Sequence, residues 1–132
     1  MLSACAAFRG DGPSPEARVA AWEAGNVYPA NYRAELLAYL RTYLNDPSGV
    51  REAQVSEPVL RSVGPGNRYV VCVRFNPRKV GGGYAGAREH MVVYVGGKLD
   101  RFVELRGEQQ AKGEQCSGAT YAAFPELESL TR

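Results

Sequence analysis

The three cysteines of this 132-residue chain are the residues whose types and positions suggest chemistry. The chain begins with MLSAC, and Leu-Ser-Ala-Cys has the form of a bacterial lipobox, where a signal peptide is cut and the new N-terminal cysteine is lipidated. The charged and apolar regions of a signal peptide do not precede it in this sequence. The motif predicts lipidation at Cys5, and the alternative is a small-residue tail that ends in cysteine by chance.

Cys72 and Cys116 remain once Cys5 is assigned to lipidation. Cys72 lies in the middle of a segment, residues 68–76, that has the pattern of a strand. A cysteine in such a position is by default a small buried hydrophobic residue. An even number of cysteines in an exported protein, however, indicates a disulfide. Such a bond closes a loop of about 45 residues, for which the chain-entropy model gives roughly 4 kcal/mol. The sequence therefore predicts a Cys72–Cys116 disulfide, the alternative being two unrelated buried thiols in a cytosolic protein.

A glycine-rich segment has the spacing of a nucleotide-binding motif but lacks its context. Gly81, Gly83 and Gly86 match GxGxxG. A dinucleotide site requires a helix next, whose N-terminal amides hold the pyrophosphate, and residues 88–95 instead have the pattern of a strand. We interpret the segment as a flexible hairpin loop and predict no cofactor.

His90 is the one histidine of the chain. A nucleophile, base and orienting acid can be imagined from Cys72, His90 and Asp100, but nothing in their spacing requires it. There is no CxxC and no second histidine, and the carboxylates are scattered, so a metal site is not indicated either. The sequence thus predicts no catalytic residues, no metal site and no enzymatic activity.

Basic and aromatic side chains cluster around the strand that carries Cys72 and form a candidate binding face. Such a face can stack single-stranded bases, or meet phosphate groups of lipid or glycan, or a protein partner. The simplest interpretation is a solvated basic surface. The net charge of +2 is too balanced to indicate nucleic acid as a partner by charge alone. The face consists of Arg68, Arg74, Phe75, Arg78, Lys79, Tyr84 and Arg88.

The strand itself, residues 68–76 (RYVVCVRFN), is the element around which the others are arranged. Its β-branched and aromatic residues favour a strand, and because both faces are largely apolar we expect it inside a sheet. Pro77 ends it, since proline has no N–H for the ladder.

Two helices are predicted before this strand. Residues 18–24 form a short helix that Gly25 ends. Residues 30–45 form the clearest helix, entered through Pro29. Its apolar side chains cover an arc of roughly 160° at ~100° per residue, and an arc this broad should cover a sheet.

Further strands complete the predicted fold. Residues 50–63 are interpreted as an irregular strand broken at Pro58. Residues 90–95 and 99–105 flank Gly-Gly-Lys, which predicts a hairpin. The sum is an α+β fold of two layers, with an N-terminal helix or helices packed on a three- to four-stranded antiparallel sheet.

The length of the chain is that of one globular domain. Residues 17–132 are assigned to this domain, and residues 1–16, with two glycines and two prolines, to a lipobox-like start and a flexible tether. No run of 18 apolar residues exists, so no transmembrane helix is predicted.

Several stretches resemble a group of small alphaproteobacterial proteins of unknown function, commonly described as hypothetical proteins or predicted lipoproteins. They are YPANYRAELLAYLRTYLNDP (residues 28–47), YVVCVRFN, the GGYAG loop and the ending EQCSGATYAAFPELE. The resemblance covers most of the chain from Tyr28 onward. It implies export, since members often carry a lipobox cysteine where Cys5 stands, and it brings no activity or catalytic residues. The order of a helix followed by antiparallel strands is also similar to small outer-membrane lipoproteins that assist envelope assembly.

These features predict a lipid-anchored protein of the bacterial periplasm that binds another envelope protein or envelope component without catalysis. The alternative is a soluble cytosolic module that uses the basic and aromatic face on nucleic acid. That alternative predicts free thiols at Cys72 and Cys116.

Overall fold

The computed structural model of the protein describes residues 12–106 and 116–131, and it is an α+β fold with an open antiparallel sheet. The strand order is β5-β4-β3-β1-β6, and β2 also pairs with β3. The elements in chain order are α1 (Pro15–Glu23), α2 (Tyr32–Tyr43), β1 (Arg51–Ser56), β2 (Val59–Ser62), β3 (Asn67–Asn76), β4 (Arg88–Val95), β5 (Lys98–Glu104), β6 (Tyr121–Ala123) and α3 (Pro125–Glu128).

The sheet has six strands within the described ranges, so the prediction of three or four strands is wrong. One reason is Pro58, which divides the predicted strand 50–63 into β1 and β2. The other is β6, whose three residues are too short to show an alternating pattern. Sequence periodicity identifies a strand only when it is long enough to repeat.

β3 lies in the interior of the sheet, as its apolar faces predict. It pairs with β4 along one side and with β1 and β2 along the other, all antiparallel. The predicted β4–β5 hairpin is also confirmed, and it turns at Gly96 and Gly97. These residues have φ angles of 61° and 82°, the left-handed values that a tight hairpin turn requires and that glycine adopts freely.

One face of the sheet, here called the helix face, is covered by α2. Leu36 and Leu40 of α2 are fully buried among side chains of β1, β3 and β4. The broad apolar arc of this helix accounts for that packing. α1 has no buried residue, so the predicted packing of N-terminal helices on the sheet holds only in part. The buried residues of the helix-face core are Leu36, Leu40, Val50, Ala53, Val55, Val71, Val73, Phe75, Val92, Tyr94, Phe124, Leu127 and Leu130.

The opposite face carries a second, smaller core and is here called the disulfide face. Its buried side chains come from β3 and β4, from the residue that follows β5, and from Cys116, five residues before β6. Successive residues of a strand point to opposite faces, so β3 contributes to both cores. The second core consists of Val70, Cys72, Met91, Val93, Leu105 and Cys116.

α1 is attached to the turn between β2 and β3 by polar contacts. It begins at Pro15, inside the predicted tether, where Ser14 Oγ accepts a capping hydrogen bond from the Ala17 N–H at 3.1 Å. At its other end, Trp22 Nε1 donates to the Asn67 carbonyl at 2.9 Å. The short helix therefore lies against the hairpin end of β3 without burying an apolar face.

We expect Gly64→Ala to lower the free energy of unfolding by roughly 1–3 kcal/mol, because it overpacks this contact. A methyl group on Gly64 would stand 2.7 Å from two ring carbons of Trp22. Chemical denaturation monitored by Trp22 fluorescence measures the change. Gly81→Ala is the matched control, since Gly81 has open space around it. Equal stability of the two variants would contradict this account of the α1 contact.

Candidate functional site

A break between β1 and β2 organises the candidate site. The pairing of β1 with β3 ends with Val55 opposite Val73, and that of β2 begins with Val59 opposite Val70. Over this stretch the β1–β2 side has one residue more than β3, which makes a β-bulge. Pro58 lies in the bulge, where its missing N–H takes no bond from the ladder.

The side chain of Ser56 repairs the hydrogen bonding at the bulge. Ser56 Oγ accepts a hydrogen bond from the Cys72 N–H at 2.8 Å, and both residues are buried. A buried N–H without a partner is costly, so this hydroxyl stabilises the point where the ladder is interrupted. The break is thus held in place by the central strand.

Beyond the bulge, β6 and β2 diverge and leave a cavity of about 460 Å³, here called the β2 groove. β6 pairs with β1 as far as Ser56 opposite Tyr121 and does not pair with β2. Arg61 Nη1 bridges the divergence by donating to the Ser117 carbonyl at 2.9 Å. Side chains that line the groove include Arg33, Ser56, Glu57, Val59, Arg61 and Tyr121.

The outer edge of β2 exposes backbone and apolar groups together. No described strand pairs with this edge, because the described part of the chain places only β3 beside β2. Val59 and Leu60 are 48% and 46% exposed. Natural edge strands are usually short and carry proline or charge that discourages further pairing. Pro58, directly before β2, and Arg61 within it are features of this kind, but the two consecutive exposed apolar residues leave this edge open to another strand.

Two arginines approach Tyr121 at the side of the groove. The Tyr121 hydroxyl donates to Glu89 Oε2 at 2.5 Å. The pKa of Tyr121 is raised, because burial disfavours the phenolate and the hydrogen bond to Glu89 favours the neutral hydroxyl, while the charges of Arg74 and Arg61 act in the opposite direction. Both guanidinium groups are therefore close enough to act electrostatically on the same phenol.

The predicted basic and aromatic face is divided between the two ends and the two faces of β3. Arg68, at the start of the strand, stacks on Trp22 with its Cζ 3.9 Å from the ring centroid. Phe75, near the other end, is buried on the helix face and stacks on His90 at 4.7 Å between ring centroids. Arg74 is exposed on the disulfide face. Arg68 and Arg74 point to the same face but are six residues apart along the strand, and Phe75 points to the other face.

Arg78 and Lys79 lie at the start of the glycine-rich loop, beside a cavity of about 390 Å³. Arg78 forms an ion pair with Asp46 at 3.7 Å. The Lys79 N–H donates to the Gly83 carbonyl, which closes the loop, and the next element is β4 rather than a helix. The interpretation of this segment as a hairpin loop is therefore confirmed.

Tyr84 and Arg88, the remaining members of the predicted face, each have partners of their own. The Tyr84 hydroxyl donates to the Gly49 carbonyl at 2.5 Å, and Arg51 stacks on its ring with Cζ 4.0 Å from the centroid. Arg88 pairs with Glu104 at 3.3 Å on the helix face. The structure thus distributes these seven residues over several separate contacts.

His90 is held in an aromatic stack on the helix face. Its ring lies between Phe75 and Phe102, with centroid distances of 4.7 and 4.9 Å, and it is 4% exposed. Burial lowers its pKa to about 4, although the charge of Glu104 and neighbouring backbone carbonyls act against this. Its Nδ1 has no hydrogen-bond partner among the described residues. The imidazole is therefore neutral at pH 7.

A third cavity, of about 320 Å³, lies beside this stack at the end of α2. His90 and Glu104 line it, together with Tyr43, Arg88 and Arg106. Glu104 is engaged by both arginines, at 3.3 and 2.9 Å. Cys72 lies on the opposite face of the sheet from His90, so the structure does not bring these two together as a nucleophile and a base.

Cys72 and Cys116, the predicted pair, are joined in a disulfide. Their Sγ atoms are 2.05 Å apart and their Cα atoms 6.0 Å apart, and both side chains are buried on the disulfide face. The bond attaches β3 to the residues that precede β6. Cys5, the predicted lipidation site, lies outside the described residues.

The residues of the β2 groove were not among those singled out in the sequence. Arg61 and Tyr121 are 60 positions apart, and the structure brings them together through the pairing of β6 with β1. The one sequence signal for this site is the pair Val59-Leu60 directly after Pro58. It combines a strand-breaking residue with two consecutive apolar ones.

Comparison with protein-family models, curated proteins and solved structures gives no match to this chain. Among the described residues, no helix has the length and apolar character needed to cross a membrane. Within residues 12–106 and 116–131, no three histidine, cysteine, aspartate or glutamate side chains are grouped as metal ligands would be.

Proposed function

We propose that this protein is a lipid-anchored, non-enzymatic binding module of the bacterial cell envelope. The observation that supports this best is the disulfide between Cys72 and Cys116, because structural disulfides persist in exported proteins and are rare in cytosolic ones. The lipobox-like sequence that ends at Cys5 supplies the anchor. The resemblance to predicted lipoproteins agrees with both points.

A lipidated Cys5 would keep the domain close to a membrane surface. Two acyl chains already suffice for stable anchoring, since each buried CH₂ contributes about 0.8 kcal/mol. Residues 6–14 separate Cys5 from the start of α1 at Pro15. Nine residues reach at most about 30 Å when fully extended. The start of α1 then lies within this distance of the bilayer, and the partner that the domain meets is another component of the envelope.

Binding without catalysis agrees with the states of the reactive side chains. Cys72 is oxidised, and the neutral ring of His90 is enclosed between two phenylalanines. Neither is presented as an exposed nucleophile or base. The β2 groove, with its exposed edge and its arginines, is the surface best suited to a partner.

Metabolic labelling with a palmitate analogue tests the anchor. The protein is expressed in a bacterium with the codons upstream of Met1 retained, and wild type is compared with Cys5→Ala. We expect label and membrane association in wild type and neither in the variant. Gly81→Ala, which retains all three cysteines and changes a glycine with open space around it, is the control and keeps its label.

Absence of label from wild type and variant alike would contradict the anchor. Alkylation of the native protein without reductant checks the compartment, and we expect Cys72 and Cys116 to be protected. Free thiols at both positions, with binding to single-stranded nucleic acid that weakens as salt rises, would instead support the cytosolic alternative.

A further inference from the structure

We propose that the outer edge of β2 binds an extended acidic peptide of an envelope partner as an additional strand of the sheet. This inference rests on the proposed function as a binding module and names the class of partner. Addition of a strand to an exposed sheet edge is a general mode of peptide recognition, in which the backbone provides affinity and the side chains provide specificity.

The direction of the backbone groups of β2 follows from the turn that ends it. The Val63 N–H donates to the Gly66 carbonyl across that turn, so Val63 faces β3. Backbone groups alternate in direction along an antiparallel strand. Those of Leu60 and Ser62 therefore point away from β3, toward the unpaired edge, where a peptide can exchange hydrogen bonds with them.

Apolar contacts on both faces of the sheet would stabilise the pairing of a peptide with β2. Val59 and Leu60 are consecutive, so their side chains point to opposite faces, and each is nearly half exposed. Leu60 stands opposite Tyr69 on the helix-face side. A strand laid along β2 would remove both side chains from water, which favours an alternation of apolar residues in the peptide.

Charge selects an acidic peptide. Arg61 lies on the same face of β2 as Val59, and its guanidinium donates to a neutral carbonyl, that of Ser117. Arg74 also lies on this face, opposite Glu89 of β4. Glu89 accepts the hydrogen bond from the Tyr121 hydroxyl, and its charge acts on that phenol. Arg68, directly across from Arg61, adds a third guanidinium group to this face, whereas Glu57 of the groove acts on Arg33 and Tyr28. Among the described residues of this face, three arginines beside Glu89 leave a positive balance next to the groove.

A peptide carboxylate can take the place of the Ser117 carbonyl as the partner of Arg61. A hydrogen bond between ionised groups is roughly twice as strong as one to a neutral acceptor. Freeing the Ser117 carbonyl opens the bridge that Arg61 makes across the β2 groove. Because the bulge at Pro58 limits pairing to the few residues of β2, we expect a weak, rapidly exchanging complex.

Amide chemical shifts of the purified, isotope-labelled domain test the proposal. The probe is the synthetic peptide TVEVEVT with blocked ends, and its counterpart is TVKVKVT. With the acidic peptide we expect shifts confined to residues 59–62 and 118–121, and a weaker response to the basic one. Arg61→Glu should lower the affinity for the acidic peptide about tenfold and favour the basic peptide.

Arg101→Glu is the matched control, since Arg101 is an exposed arginine on β5, the strand at the opposite edge of the sheet. It should leave binding unchanged. Equal loss in both variants, shifts along β5, or no shifts would overturn the proposal. So would shifts at residues 59–62 that depend on protein concentration without peptide, since they indicate a second copy of the chain as the occupant. None of these outcomes bears on Cys5, so palmitate labelling remains an independent test of the proposed function.

Discussion

Replacing Cys72 and Cys116 together by alanine is expected to lower the free energy of unfolding by roughly 3–4 kcal/mol at pH 7. The bond closes a loop with a sequence separation of 44 residues, and without it the unfolded chain regains the corresponding entropy. Both sulfurs also lie in the second core, so their removal takes buried atoms out of contact with Val70 and Met91. For a domain of this size, such a loss is a large part of the total stability.

Removal of the disulfide also affects the β2 groove. Cys116 fixes the start of the segment that runs to β6 and lines one side of the groove. Without the bond, that segment is held by the Arg61 contact to Ser117 and by the Tyr121 hydrogen bond to Glu89. We therefore expect the disulfide face to open before the helix face does.

Urea denaturation of the double variant, and of the wild type with and without reductant, measures this effect. Cys5→Ala is the control, because Cys5 takes no part in the bond. The free energy of unfolding of the reduced wild type should match that of the double variant, apart from the small difference in packing between a cysteine thiol and an alanine methyl group. A change in stability no larger than that of the control would show that the bond does not hold the fold together.

Acidification is expected to destabilise the wild type more than the His90→Phe variant, by on the order of 3 kcal/mol between pH 7 and pH 4. The pKa of His90 is about 4 in the folded protein, because the ring is buried, against an ordinary value of 6.5 in the unfolded chain. Between these values the unfolded chain binds the extra proton. The stability that the neutral ring provides is therefore complete above pH 6.5 and is lost as the pH falls toward 4.

Phenylalanine is the appropriate replacement, since it keeps an aromatic ring between Phe75 and Phe102 and does not titrate. Carboxylates such as Glu104, whose pKa is lowered chiefly by its hydrogen bond to Arg106, titrate in both proteins. The difference between the two stability curves then reports the imidazole together with its electrostatic coupling to Glu104. Parallel curves from pH 7 to pH 4 would contradict a depressed pKa at this position.

A direct measurement of the same quantity is available because His90 is the one histidine in the chain. Its imidazole proton resonance can be followed without ambiguity as the pH is lowered. We expect a midpoint near 4 for as long as the domain stays folded. A midpoint near 6.5 would show that the ring is accessible to water, and the aromatic stack would then be open in solution.

Much of the fold followed from local patterns in the sequence. The helix predicted for residues 30–45 is α2, the strand predicted for residues 68–76 is β3, and the Gly-Gly hairpin joins β4 to β5. Each is long enough to repeat its own period or is marked by a turn residue with a defined role. The count of strands failed where a segment was short, as in β6, or interrupted, as at Pro58.

The sequence by itself determined the long helix α2, the strands β3, β4 and β5, the interior position of β3, and that two cysteines remain to pair once Cys5 is assigned to lipidation. These conclusions depend on side-chain types at short spacing. The tertiary structure alone decided that the basic residues around β3 separate into different contacts and that Arg61 meets the Ser117 carbonyl 56 positions away. The physical reason is that alternation fixes the face to which a side chain points, whereas only strand pairing across the whole chain decides which segments become neighbours and which edge stays open.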